Sequence, residues 1–304
     1  MSREIAIFGN EPGWHGARLR AAFEAQSLEV RSLSLRDCAF DLDAGSVGLS
    51  LPGLGDRLPA GAFVRGVPGG SLEEVVFFLD ILHALRESGV LVYNDARGIE
   101  RSVDKAMTSF LLQRAGIPSP PSWVGRDPEQ AAIFRTQAQR AGCDTIVKPL
   151  FGSQGEGLMR LSGAEPLPAP EHCSGVYYLQ RFIETGEGCW HDWRVFVIGG
   201  RAVAVMRREG RCWISNVANG ARCHAARLDD TLRHLAEAAV RAVGLYYAGV
   251  DVLRGTDGVH YVVEVNGIPA WRGLQGTCEL DIASLVVADF LSRAGIGARL
   301  EARR

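Results

Sequence analysis

The sequence has no long hydrophobic run, no large excess of either charge and no closely spaced cysteine pair. No stretch approaches the roughly 18 apolar residues of a membrane helix. Lys and Arg number 33 against 35 Asp and Glu, a formal charge of −2, which argues against a general nucleic-acid-binding surface. The seven cysteines are odd in number and widely spaced, a pattern that favours reduced thiols over disulfides or a zinc site. The first residues do not resemble a signal peptide. We therefore expect a soluble, cytoplasmic protein that binds neither nucleic acid nor membrane.

Several catalytic signatures are also missing. The sequence contains no GxSxG and no HExxH, and its cysteines lie in no known nucleophile motif, so nucleophilic and zinc-dependent hydrolysis are poorly supported. The first glycine cluster reads GNEPGWHG over residues 9–16, which is not the GxGxxG of a dinucleotide fold. An oxidoreductase built on the first domain is therefore a weak alternative.

A chain of 304 residues with 47% hydrophobic content is long enough for one large domain or two to three small ones. Up to about residue 95, apolar strand-like runs alternate with helical patterns, which predicts a parallel α/β domain. Ser71 and Glu74 form the sequence of a capping box. The expected strands lie near 5–8, 28–33, 62–66 and 90–93, the expected helices at 17–25 and 71–88, and a loop at 41–61.

The rest of the chain predicts an α+β arrangement with longer strands. A Gly199-Gly200 turn separates two of them and predicts a hairpin. No internal repeat or low-complexity tract is present. The expected helices lie at 104–114, from 128 onward and at 230–243, and the expected strands at 122–124, 145–149, 158–161, 176–183, 194–198, 202–206, 249–253 and 259–265.

A glycine-rich segment at 152–157 follows Lys148. Glycines allow backbone amides to approach phosphate oxygens, and the lysine adds a positive charge. The segment leads into a strand rather than a helix and lacks the GK[ST] of a Walker A loop. It is either a glycine-rich hairpin that closes over a nucleotide or an ordinary turn.

Three oxygen-bearing side chains lie in otherwise apolar strands: Asp251, Glu264 and Asn266. Glu264 and Asn266 are two residues apart and so share one face of a strand. Buried acids are costly unless they are paired or bind a metal, and this ligand set suits Mg²⁺. The alternative is a solvated sheet face.

Cationic residues could clamp carboxylate or phosphoryl oxygens if they converge on one site. Trp14 and His15 follow the first strand, where α/β folds bind ligands, although a plain turn histidine is the simpler interpretation. The cationic candidates are Lys105, Arg194, Arg207, Arg208 and Arg272.

Taken in order, these pieces resemble the ATP-grasp superfamily, and within it the RimK-like α-L-glutamate ligases. The resemblance covers roughly residues 94 to 290. It implies an α/β plus α+β protein with the ATP-grasp fold and a Rossmann-like N-terminal domain, divided at 1–95, 96–184 and 185–304. The residues that carry it are Arg101 to Lys105, Ile146 to Pro149, Gly152 to Gly157, Gln180 to Ile183, Asp192 to Val197, Val250-Asp251 and Glu264 to Asn266.

The resemblance also implies a role for each matching residue. The resemblance assigns catalytic roles to Lys148, Arg194 and Arg207. It assigns Mg²⁺ ligation to Asp251, Glu264 and Asn266. Substrate contacts fall to four residues that resemble a branch linked to tetrahydromethanopterin-type cofactor biosynthesis, namely Trp14, His15, Arg65 and Arg272. ATP contacts fall to Lys105, Lys148, Gly152, Ser153, Gln154, Gly155, Gly157, Gln180, Arg181, Phe182, Ile183, Asp192 and Asn216.

The implied activity is an ATP-dependent ligase that forms an amide through an acyl phosphate. The expected cofactors are ATP and two Mg²⁺ ions, with Mn²⁺ able to substitute. The expected partners are a small-molecule carboxylate acceptor and an amino acid, for which glutamate is the first candidate. The family also suggests a homo-oligomer. The segment 267–272 departs from the usual family pattern, so two alternatives stay open. The acceptor could be a protein or peptide terminus, or the chain could be a nucleotide-binding regulator without turnover.

Overall fold

The computed structural model describes residues 4–9, 13–43, 46–152, 155–186, 188, 190–214 and 220–296. In chain order the helices are α1 (Trp14–Glu24), α2 (Leu72–Glu87), α3 (Ala96–Val103), α4 (Lys105–Arg114), α5 (Pro128–Arg140), α6 (Asp230–Val243), α7 (Arg272–Gln275) and α8 (Ile282–Ala294). The strands are β1 (Glu4–Phe8), β2 (Glu29–Leu33), β3 (Ala39–Asp41), β4 (Gly48–Ser50), β5 (Gly61–Val64), β6 (Val92–Tyr93), β7 (Ser122–Gly125), β8 (Thr145–Lys148), β9 (Met159–Leu161), β10 (Tyr177–Arg181), β11 (His191–Ile198), β12 (Arg201–Glu209), β13 (Arg222–Ala225), β14 (Tyr247–Arg254) and β15 (His260–Asn266).

The first sheet is parallel, in the order β2-β1-β5-β6. Its buried strands are nearly all apolar, as expected for a sheet covered on both faces. The capping box forms as predicted, because the Ser71 hydroxyl accepts from the Glu74 amide and the Glu74 carboxylate accepts from the Ser71 amide. The strand order reverses between β1 and β5, and the carboxyl ends of such neighbours are where α/β sheets place ligands. Gly9 and Arg65 follow those two strand ends.

The second sheet is antiparallel in the order β7-β10-β8-β9, and the third in the order β13-β12-β11-β14-β15. The Gly199-Gly200 hairpin forms between β11 and β12 with φ angles of 60° and 78°, values that favour glycine. In the third sheet α6 covers the face formed by Val195, Val250 and Val265. The other face is the one that carries the polar side chains described below.

Helix α8 packs back onto the first sheet beside α1. Phe290 contacts Phe23 and Phe63, with ring centroids 5.1 Å and 6.1 Å away. Buried Asn94 ties the first sheet to the third, since its amide group donates to the carbonyl oxygens of Tyr247 and Gly267. A single apolar core therefore runs from β1 through α8 to β11.

Most predicted elements form within a few residues of their expected bounds. The prediction of a loop over 41–61 was wrong in part, because β4 pairs with β3 there as a short hairpin. Helices α3, α7 and α8 and strands β3, β4 and β13 were not predicted. Among the described residues, no helix has the length and apolar content to cross a bilayer, and the six described cysteines are free thiols.

Candidate active site

A cleft of about 140 Å³ lies between the second and third sheets. Its walls come from α4, β8, β10 and the glycine-rich segment on one side, and from β11, β12, β14 and β15 on the other. Most of the residues predicted for nucleotide and metal binding meet here. They are Lys105, Lys148, Gly152, Gly155, Gln180, Arg181, Phe182, Ile183, Asp192, Asp251 and Glu264. Ser153, Gln154 and Asn216 lie outside the described residues.

Two lysines enter the cleft from the same side. Lys148 ends β8 with 9% of its surface exposed. Burial lowers the pKa of Lys148 to about 8, with nearby Glu264 acting against the shift and Lys105 adding to it. Lys105 begins α4, and its ammonium donates to the Gly152 carbonyl at 2.9 Å. Its pKa is also lowered, chiefly by burial. Two partly desolvated ammonium groups side by side favour a ligand with several negative charges.

The glycine-rich segment needs its glycines. Gly152, Gly155 and Gly157 have φ angles of 140°, 77° and 69°, in the region that L-residues rarely adopt. A Cβ atom on Gly157 would lie 2.8 Å from Cγ of Pro149. Gly157 therefore shapes the turn rather than lining the cleft. The Lys105–Gly152 contact holds the start of this segment over the two lysines.

A network of buried charges forms the opposite wall. Asp251 accepts from Arg194 at 2.7 Å and 2.6 Å and from Arg208 at 2.9 Å. Arg208 in turn binds Asp192 at 2.7 Å and 2.6 Å. Burial favours a higher pKa for Asp251, but the two guanidinium groups hold it at about 2. The same carboxylates raise the pKa of Arg208 above its usual value, although burial opposes this. Asp251 and Arg208 are therefore both charged at neutral pH.

The three predicted catalytic residues lie in different places: Lys148 lines the cleft, Arg194 reaches its wall only through the ion pair with Asp251, and Arg207 lies apart from it. Arg207 does not line the cleft; its side chain is 42% exposed and pairs with Glu209. Arg208 takes the place beside Asp251, with 3% of its side chain exposed. Successive residues of a strand face opposite sides, so only one of the two arginines can reach the site. The register that sets Arg208 opposite Asp192 decides which one.

The predicted metal ligands lie on neighbouring strands. Asp251 stands opposite Glu264, and Asn266 stands opposite Gly249, whose carbonyl accepts from the Asn266 amide at 3.2 Å. Three N–H groups occupy Asp251, and an ionised carboxylate has about four acceptor positions. Among the described residues, no cluster of three His, Cys, Asp or Glu side chains could hold a metal. A Mg²⁺ ion bound here would therefore need further oxygen ligands, such as those of a phosphate.

The segment from Gln180 to Ile183, at the end of β10, was predicted to read the base of a nucleotide. The Gln180 amide group donates to the Ser122 and Tyr178 hydroxyls at 3.0 Å and 3.2 Å, so its N–H groups are already hydrogen-bonded within the protein. The backbone amides of Arg181 and Phe182 donate to the carbonyls of Pro121 and Asp144.

Trp213 lines the cleft near this segment, 6.0 Å from the Phe182 ring, and was not predicted. With Ile146, Ile183 and Leu253 it makes this end of the cleft apolar. A loop tryptophan carries no periodicity, so only its exposure to the cleft reveals it.

The four predicted substrate residues do converge, but outside this cleft. Trp14, His15, Arg65 and Arg272 surround the fully buried Trp271 at the carboxyl ends of β1 and β5. The Arg65 guanidinium lies 4.9 Å from the Trp271 ring and donates to the Pro269 carbonyl at 3.0 Å. We call these five residues the tryptophan cluster.

Pro269 connects the tryptophan cluster to the charged wall. A Cβ atom on Gly249 would lie 3.2 Å from Cβ of Pro269 and 3.4 Å from Cδ of Arg194. Arg194 and Pro269 thus both lie next to Gly249, and the Pro269 carbonyl is the one that accepts from Arg65.

His15 is held in its neutral form. Its Nε2 accepts from the Trp271 backbone amide at 3.0 Å, which places the ring proton on Nδ1. Burial, followed by the positive charges of Arg65 and Arg272, lowers the pKa of His15 to about 4. The tryptophan cluster therefore offers two cations and a neutral imidazole.

Comparison with known proteins identifies relatives over most of the chain. The RimK-like ATP-grasp domain model matches residues 102–290. A tetrahydromethanopterin:alpha-L-glutamate ligase from Methanococcus maripaludis is 35% identical over 77% of this chain and 79% of its own length. A probable alpha-L-glutamate ligase from Rhodopirellula baltica is 30% identical over 95% of this chain and 71% of its own length.

Solved structures agree on the fold. The ATP-grasp ligase PsnB, in complex with a minimal precursor, Mg and ADP, superposes with a TM-score of 0.73 at 22% identity, over 97% of this chain and 99% of its own. The D-cycloserine synthetase DcsG gives 0.71 at 17% identity, over 96% and 99%. The predicted ATP-grasp fold is confirmed.

Proposed function

This chain belongs to the RimK-like ATP-grasp family and is a ligase, and from that premise we propose that it uses ATP to join a carboxylate to the amine of glutamate. A carboxylate oxygen of the acceptor attacks the γ-phosphorus of ATP, and ADP leaves. The amine nitrogen then attacks the acyl carbon, phosphate leaves, and the nitrogen loses a proton. No covalent enzyme intermediate is needed, so the protein acts by positioning reactants and stabilising charge.

One observation carries this proposal: two desolvated lysines, Lys105 of α4 and Lys148 of β8, face the same cleft as the carboxylates of Asp251 and Glu264 in the third sheet. Lys148 and Lys105 have the placement to contact the phosphates, with the glycine-rich segment above them. The base would lie at the apolar end, between Ile183 and Trp213. Gln180 stabilises the wall at that end through its hydrogen bonds to the hydroxyl groups of Ser122 and Tyr178.

Asp251, Glu264 and Asn266 would hold Mg²⁺, and we infer two ions, with Mn²⁺ as a substitute. Bound there, the metal would neutralise phosphate charge and polarise the phosphoryl group. The residues themselves prepare the site, since Arg194 and Arg208 keep Asp251 ionised even though it is buried. Asp192 fixes Arg208 in turn.

The acceptor would enter from the tryptophan cluster. Trp14 and Arg272 offer an aromatic face and a cation at its exposed side, while Arg65 and neutral His15 lie deeper. Arg194 lies next to Gly249, as does Pro269, whose carbonyl accepts from Arg65 of the cluster. By analogy with the named relatives, we propose a small-molecule acceptor similar to tetrahydromethanopterin and a cytoplasmic reaction.

The test is ADP release by the purified protein with Mg²⁺, ATP and a panel of amino acids. Each amino acid is supplied with and without a heat-treated small-molecule extract of cells that make the protein. We expect release that requires both glutamate and the extract, with one extract component gaining the mass of a glutamyl residue.

Lys148→Met tests the charge of this lysine, because methionine keeps an unbranched apolar side chain and removes the ammonium group. We expect this variant to bind ATP roughly 10- to 100-fold more weakly, as for a lost charge-assisted contact, and to release no ADP. If ADP is released with a peptide fraction alone, the acceptor is a peptide terminus and not a small molecule. ATP binding without release in any mixture would overturn the ligase reaction of this chain.

A further inference from the structure

The three residues Arg160, Phe182 and Glu184 form a compact contact behind the apolar end of the cleft. The Arg160 guanidinium carbon lies 3.6 Å from the centroid of the Phe182 ring, so the planar group lies against the aromatic face. Its Nη2 donates to Glu184 at 3.0 Å. Phe182 lines the cleft and is only 7% exposed. A guanidinium on a desolvated ring is among the stronger cation–π contacts.

Asp144 completes the arrangement by holding both partners. Its carboxylate accepts from Nε of Arg160 at 2.7 Å, and its backbone carbonyl accepts from the Phe182 amide at 2.9 Å. The ring and the backbone of Phe182 are thus fixed by neighbouring groups. The rings of Trp190 and Trp213 also contact Phe182 edge to face, with centroids 6.3 Å and 6.0 Å away.

Arg160 also connects parts of the chain that would contact different ends of a nucleotide. It lies in β9, which directly follows the glycine-rich segment. Glu184, its second carboxylate partner, accepts at its backbone carbonyl from the Thr256 amide at 2.8 Å. Thr256 belongs to the turn between β14 and β15, the two strands that carry Asp251 and Glu264.

From these contacts we propose that Arg160 is a positioning residue for nucleotide binding, a role that rests on the proposed function. It does not line the cleft. It holds the Phe182 ring against the second sheet, so that Ile183 and Trp213 keep an open slot between them. Lysine cannot replace it fully, because a single ammonium lacks the planar fork that stacks and binds two carboxylates together.

The test compares ATP affinity of three variants by isothermal titration calorimetry in the presence of Mg²⁺. Arg160→Met removes the stacking charge and both ion pairs while keeping an apolar stem. We expect its Kd for ATP to rise roughly tenfold. Arg160→Lys keeps the charge, and we expect an intermediate rise. In turnover, KM for ATP should rise while kcat at saturating ATP stays within about twofold.

Arg293→Met is the matched control. Arg293 also stacks on an aromatic ring, 4.5 Å from Tyr246, and binds a carboxylate, Asp289, at 2.7 Å. It lies in α8, away from the cleft. We expect both Met variants to lower the urea midpoint of unfolding, but only Arg160→Met to weaken ATP binding.

Two results would overturn the proposal. Unchanged ATP affinity in folded Arg160→Met would show that the residue only stabilises the fold. An equal loss of affinity in Arg293→Met would show that the effect is general destabilisation. If the wild-type chain binds no ATP, the nucleotide-dependent function itself fails, which is a separate outcome visible before any variant is measured.

Discussion

Arg194 and Asp251 form a two-point ion pair across the neighbouring strands β11 and β14, with N–O distances of 2.7 Å and 2.6 Å. Asp251 is 4% exposed, so this pair is formed in a desolvated setting. A buried pair adds little net stability, yet removal of one partner leaves the other charge uncompensated. The residue proposed as a metal ligand is therefore also a structural counter-ion.

This double role distinguishes Asp251 from Glu264. Asp251→Asn leaves Arg194 and Arg208 without their shared carboxylate, and we expect it to lower the free energy of unfolding by about 3 kcal/mol. Glu264→Gln should cost less than about 1 kcal/mol, because Glu264 is only half-buried. Both variants should lose ADP formation. Urea unfolding measures stability, and ADP release measures activity. Equal losses of stability in the two variants would contradict the role of Asp251 as a structural counter-ion.

The two adjacent arginines of β12 should behave differently. Arg208→Met leaves Asp192 and Asp251 with less positive charge nearby, so we expect a loss of about 3 kcal/mol in the free energy of unfolding. Arg207→Met removes an exposed pair with Glu209 and should cost within about 0.5 kcal/mol. ADP formation should persist in Arg207→Met. Its loss there, with an intact fold, would return Arg207 to the catalytic set.

His15 makes stability depend on pH. Its pKa is about 4 in the folded chain against 6.5 as the reference value, so the unfolded chain binds this proton first as pH falls. The stability due to neutral His15 is fully present above pH 6.5 and is lost as pH falls toward 4, with a slope of up to about 1.4 kcal/mol per pH unit.

His15→Gln tests this dependence, because its side-chain oxygen can accept from the Trp271 amide and does not titrate. Urea unfolding of both proteins at several pH values between 4 and 7 gives the measurement. We expect the wild-type chain to lose more stability than the variant across this window. Parallel pH profiles would refute the buried neutral histidine.

Local patterns predicted much of the fold because each depends on residues close in sequence. The Ser71 and Glu74 capping box and the periodic helix at 230–243 both form. The acids in the apolar strands were recognised because isolated buried charge is costly. A hairpin brings their two strands together, but Asp251 stands opposite Glu264 only because a β-bulge shifts the register between Asp251 and Val252.

The missed features depend on register or on distant contacts. Which of Arg207 and Arg208 faces the site is set by strand pairing that includes a bulge between Phe196 and Val197. The contact between Arg160 and Phe182 joins residues 22 positions apart through a third, Asp144. No local sequence periodicity predicts this contact, because it forms only when the second sheet assembles.

The return of α8 to the first sheet has a consequence for synthesis of the chain. One face of that sheet is covered by α2, which the ribosome makes early, but the other needs Phe290 and its neighbours from α8 in addition to α1. Ile5, Ile7 and Phe63 therefore lack their final cover until α8 has emerged from the ribosome. Until then the nascent chain presents an apolar surface of the kind that chaperones protect.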